Sequence, residues 1–138
     1  MGSRHRAREL AVQVLYGLDL NPGSVDQAIS GNRHWVSMTD SDRDFARDLV
    51  EGTAGRLPEL DSLILAASHK WDLKRMAVVD RNVLRVAVYE LTQHGLTPAR
   101  VVINEAIELA KDFGGEESGV FVNGLLDQIR INIGREIE

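Results

Sequence analysis

The 138-residue chain has no cysteine. That excludes disulfides, thiolate metal sites and cysteine nucleophiles. Aromatic residues make up 5% of it, so few rings are available for stacking or for anchoring a core. No apolar run approaches the roughly 18–20 residues that a membrane helix needs. The N-terminal segment carries charge but no apolar stretch followed by a small-residue cleavage site, so no signal peptide is expected. Arg6 stands where a myristoylation motif requires Ser or Thr, and Gly2-Ser3 resembles a cloning remnant. These absences predict a soluble, cytoplasmic protein with no membrane partner.

What is present is an ordinary globular mixture, 43% apolar and 27% charged, long enough for one domain with its own core. The formal net charge is −5, yet residues 4–8 read Arg-His-Arg-Ala-Arg and no acid precedes Glu9. The 16 basic residues less these three arginines leave 13 against 21 acidic ones. A local basic patch on an acidic body is a place where a polyanion docks. A solvated, frayed terminus is the plainer reading of the same residues.

The hydrophobic period is helical almost throughout. Ala7, Leu10, Ala11, Val14, Leu15 and Leu18 make one apolar stripe, which Asn21-Pro22-Gly23 stops. Ser24 is placed to cap a short second helix reaching about Arg33. Thr39 and Asp42 resemble a capping box ahead of Phe45, Ala46, Leu49 and Val50. Pro58 predicts a break near Arg56–Leu57, after which Leu60, Ile64 and Ala67 carry a fourth helix and Trp71 sits in a connection. Asp80 is expected to cap a fifth helix, with Val79 and Leu84 as a hydrophobic staple. Thr97-Pro98 reads as a cap followed by proline at the first helical position, with Leu96 and Val101 as the staple. Gly114-Gly115 ends the sixth helix, and the last runs from about Glu116 to Ile133. No alternating strand pattern competes. The expectation is an all-α domain of roughly seven helices over residues 1–138, in subdomains of about 1–70 and 71–138.

Catalytic chemistry is hard to find. His5, His34, His69 and His94 are scattered, with no pair at helical metal-binding spacing. Glu105 and Glu108 are helical neighbours without an accompanying histidine and read as a solvated face. Gly114-Gly115 lacks the Lys-Ser/Thr of a phosphate loop, and no serine lies in a nucleophile elbow. No cofactor is expected, and binding is favoured over catalysis.

The first helix offers a more specific pattern. Arg6, Glu9, Gln13 and Tyr16 share one side, flanked by Arg4 and Arg8. Arginine forks onto phosphates and stacks on bases, and single-stranded nucleic acid is held by charge combined with stacking. Tyr16 fits a half-buried residue or a protein contact at least as well as a base stacker. Lys70, Lys74, Arg75, Arg81 and Arg85 form a second basic group around Trp71, in keeping with a solvated face. Phe121 reads as core or core edge. Asn123-Gly124, in mid-helix, predicts a close helix–helix contact that offsets the roughly 1 kcal/mol cost of glycine.

Several blocks together resemble the NusB family. They are Arg6-Ala7-Arg8-Glu9 with Ala11-Val12-Gln13 and Leu15-Tyr16; Val83-Leu84-Arg85 with Tyr89-Glu90-Leu91; the nine residues from Ile103 to Lys111; and Phe121-Val122-Asn123-Gly124 with Leu126-Asp127. The resemblance spans essentially the whole chain, weakest from Pro22 to Thr39. It implies two small packed helical bundles and no enzymatic activity. It implies a transcription antitermination factor that binds boxA-type single-stranded RNA of ribosomal RNA leaders together with the ribosomal protein NusE, within an RNA polymerase antitermination complex. Under it, Arg4, His5, Arg6, Arg8 and Phe121 correspond to the RNA side, joined by Gln13 from the helical phase. Tyr16 and Asp80 correspond to the NusE side, with Arg81 beside them. The chain departs from the family's pattern at His5, where arginine is common, and at Val120, where lysine is common. Two other readings remain open: from the residues, a protein-binding adaptor or homodimer without an RNA role, and, from the resemblance, the RNA-binding domain of a ribosomal RNA methyltransferase.

Overall fold

The structure is a computed structural model describing residues 2–69 and 72–138. Lys70 and Trp71 of the second basic group lie outside the described residues. The described residues form seven α-helices and two 3-10 turns, with no strand, as the hydrophobic period predicts. They fall into two compact units, Met1–Gly55 and Arg56–Glu138.

In the first unit, α1 (Ser3–Leu20) packs on α3 (Asp40–Gly55) and on the short α2 (Val25–Ser30). The predicted stripe is the buried one as far as Leu15, with Ala7, Leu10, Ala11, Val14 and Leu15 all at or below 4% exposure, while its last member, Leu18, is half-buried. Ser24 caps α2 by accepting the Gln27 N–H at 3.3 Å. That helix stops at Ser30, short of Arg33, and a 3-10 turn at Trp35–Ser37 follows. Thr39 opens α3 as expected: its hydroxyl accepts the Asp42 N–H and donates to the Asp42 carboxylate, both at 3.2 Å.

In the second unit, α4 (Leu57–Ser68) starts where Pro58 requires a new helix, its proline lying in the first turn, which has no intrahelical N–H bond to lose. A 3-10 turn at Leu73–Arg75 leads to α5 (Val78–Gln93), α6 (Ala99–Gly114) and α7 (Glu116–Ile133). The core of this unit packs α6 on α7 and α5, with α4 against α5 and α7. Arg85 forks onto Asp61 at 2.8 and 3.0 Å, tying α5 to α4. Gly115, at φ +89° and ψ −177°, makes the sharp turn between α6 and α7 in a region only glycine enters readily.

Three local expectations need correction. Asp80 is not a cap: the cap position is Ala77, and Asp80 lies in the first turn of α5. That shift leaves Val79 and Leu84 out of staple register. Pro98, with extended ψ, is itself the cap of α6. Thr97 lies outside it, and Leu96 is fully exposed, so no staple forms with Val101. Gly124 is not a packing glycine, since a Cβ built there meets nothing within 4 Å. The close approach belongs to Gly119, whose Cβ would lie 2.7 Å from Cγ of Lys111.

Candidate nucleic-acid interface

The start of α1 carries the basic patch, and its helical phase sorts the four residues sharply. Arg8 falls beside the apolar stripe and is 6% exposed, its guanidinium 5.2 Å from the centre of the Phe45 ring. Arg4 reaches the same ring, at 4.4 Å. It also donates to the Ser41 carbonyl at 3.0 Å and to the Asp42 carboxylate at 3.3 Å. Phe45 on α3 is therefore approached by two guanidinium groups of α1, a cation–π arrangement that fastens the first turns of α1 to the first turns of α3.

Arg6 points away from that contact. It pairs with Glu9 one turn on, at 2.6 Å, and its side chain remains 42% exposed. A charge pair this open to water is weakly held, and an incoming phosphate can replace the carboxylate. His5 is half-buried beside it. The patch thus has two cations open to solvent, Arg4, which is engaged by α3, and Arg6, which is engaged by its own helix, with side chains 47% and 42% exposed, and an inward one in Arg8.

Farther along the same face of α1, Gln13 is half-buried and accepts a hydrogen bond from the Asn32 carboxamide at 3.2 Å. Tyr16 follows, 40% exposed. Arg6, Gln13 and Tyr16 therefore lie along one open side of α1, as the spacing predicts, with charge at one end and an aromatic ring at the other.

The remaining candidates lie in the second unit. Phe121 is half-buried on α7, between exposed Val120 and fully buried Val122. Asp80 is 7% exposed. Burial raises its carboxyl pKa above the ordinary 3.8, while a hydrogen bond from the Ser118 hydroxyl pulls the other way. Its Oδ1 has no hydrogen-bond partner among the described residues. Arg81 donates to the Leu73 carbonyl at 3.2 Å, which secures the turn before α5. Among the described residues no group of acids and histidines is arranged to hold a metal, and no helix is long and apolar enough to cross a membrane.

Sequence reasoning places Glu9 on this face but misses Phe45 as part of the surface, because the role of Phe45 depends on which helix packs across α1.

The model of the NusB family matches residues 5–130. The transcription antitermination protein NusB of Myxococcus xanthus is 42% identical, over 98% of this chain and 99% of its own length. Among solved structures, T. maritima NusB superposes with a TM-score of 0.84 at 37% identity, covering 91% of this chain and 89% of that one. A structure of antitermination factors NusB and NusE in complex with double-stranded RNA matches with a TM-score of 0.86 at 28% identity, covering 96% of this chain and 98% of that one.

Proposed function

The chain belongs to the NusB family, and from that premise we propose that it acts as a transcription antitermination factor, binding boxA-type single-stranded RNA together with NusE. The observation that carries the proposal is the open side of α1, where Arg6 is 42% exposed and Tyr16 40% exposed while the opposite stripe is sealed. Arg6 is the principal phosphate ligand, exchanging Glu9 for the RNA backbone. Arg4 and His5 extend the charge, and Gln13 meets a base edge. Arg8 acts from beneath, holding Phe45 and so fixing the direction in which α1 presents Arg6. Phe121 offers its edge to a base.

Tyr16 on α1 and, separately, Asp80 and Arg81 on α5 are the residues that contact NusE. Asp80 contributes there through the start of α5, which its bond with Ser118 braces, while Tyr16 meets the partner with its ring. The protein works by binding and carries out no catalysis. It functions in the cytoplasm, where transcription takes place, as one NusB-like domain over residues 1–138.

A titration with boxA-type, scrambled and duplex RNA, with and without NusE, tests this reading. Tighter binding to the boxA strand, strengthened by NusE, is expected. Equal affinity for all three RNAs would reduce the protein to a general polyanion binder, and NusE binding without RNA binding would reduce it to an adaptor.

A further inference from the structure

Behind the open side of α1, where α1 and α2 diverge, lies a cavity of about 480 Å³. That is within the roughly 300–1,000 Å³ typical of small-ligand clefts. Its composition is unusual. Four carboxamides line it, Gln13, Asn21, Gln27 and Asn32, with no acidic, basic or aromatic side chain among the lining residues. Glycines at 17, 23 and 31 keep its walls low. The Asn32 carboxamide is engaged at both ends, donating to the carbonyl oxygen of Gln13 at 3.2 Å and accepting the His34 N–H at 3.0 Å, which leaves the Gln13 amino group to donate. The carboxamides of Asn21 and Gln27 have no hydrogen-bond partner among the described residues, and both side chains are exposed.

Each missing residue type narrows the ligand. Without Lys or Arg the cavity does not select a phosphate. Without carboxylates it does not hold a cation, and without a ring it offers no stacking platform. What it offers is paired donors and acceptors on planar amides. That is the complement of a nucleobase edge, which Asn and Gln recognise with two parallel hydrogen bonds. Bases of single-stranded RNA are free to turn outward and present those edges. Gln13 belongs both to this cavity and to the proposed RNA face.

We propose that the cavity between α1 and α2 is a subsite for one unstacked nucleobase of the bound RNA, recognised through carboxamide hydrogen bonds. The assignment rests on the RNA-binding reading above and extends it by a base-specific contact separate from the arginines.

Gly17 makes the test clean. It is helical, and a Cβ there meets nothing within 4 Å, so Gly17→Leu fills the cavity with a good helix former and leaves the fold intact. Gln27→Ala removes one carboxamide from α2 without touching α1. Anisotropy titrations use boxA-type RNA and a series of the same strand, each member lacking one base. In the wild-type protein, loss of one particular base weakens binding about tenfold. In Gly17→Leu that penalty vanishes, and in Gln27→Ala it shrinks. Penalties at the other positions and the salt dependence stay as they were. Identical penalties in wild type and Gly17→Leu at every position overturn the subsite while leaving the RNA reading standing. Variants that keep every RNA penalty but lose NusE affinity assign the cavity to the protein partner and overturn it too. Failure of the wild-type protein to bind any single strand, with or without NusE, overturns the parent reading itself.

Discussion

Gly124→Ala is expected to stabilise the protein, by an amount that can be worked from its surroundings. Gly124 is the ninth of 18 residues in α7, exposed, with helical backbone. The added Cβ has no heavy atom within 4 Å, so there is no packing penalty to set against the gain. Alanine exceeds glycine in a helix interior by about 1 kcal/mol. The unfolding entropy of roughly 2.1 cal/mol/K per residue, over 138 residues, converts this into a rise of about 3 °C in Tm. Gly119→Ala is the control. It carries the same propensity gain, but its Cβ falls 2.7 Å from Cγ and 3.2 Å from Cε of Lys111. Displacing that packed stem costs about 1–3 kcal/mol, so Tm stays level or falls. Thermal and urea melts followed by circular dichroism measure both variants. A lower Tm for Gly124→Ala, or equal rises for the two, would refute the assignment of Gly119 and not Gly124 as the close-packing glycine.

Other consequences follow from the same geometry. Glu9→Gln removes the carboxylate that competes for Arg6 at 2.6 Å and should tighten RNA binding several-fold at low salt, read by titration. Asp61→Ala removes the carboxylate onto which Arg85, 11% exposed, forks, and should destabilise by about 2 kcal/mol in urea melts. The raised pKa of Asp80 means that its contribution to stability is complete below the ordinary carboxyl pKa and is lost as pH climbs through the raised one. The Tm difference between Asp80→Asn and wild type should therefore increase in favour of the variant as pH goes from about 4 to 7, a trend that a melt series across that window checks.

Local signals were read well from the sequence, and long-range ones were not. The start of α7 was legible because Gly114-Gly115 marks it, and its end falls at Ile133 as expected, where the structure adds Gly134 as a left-handed cap. The caps at Ser24 and Thr39 depend on residues three positions apart, within reach of spacing arguments. Arg8 was placed beside Arg6 as a surface cation, yet it lies on the buried side because Phe45 arrives from α3, 37 positions later. Asp80 has the composition of a cap, but α5 begins two residues before it, at Val78. The reason for a mid-helix glycine depends on the facing helix, so Gly119 and Gly124 could not be told apart. The face of α1 was predicted residue by residue, while the cavity beside Gln13 needed the position of α2.

The most direct measurement is the salt dependence of RNA affinity for wild type and Arg6→Ala, each with NusE bound. Each phosphate contact on a single strand contributes about 0.7 to the log–log slope. The account predicts weaker binding by Arg6→Ala with a slope shallower by about that amount. Weaker binding at an unchanged slope, or unchanged binding, would contradict the claim that the open face of α1 holds the RNA backbone.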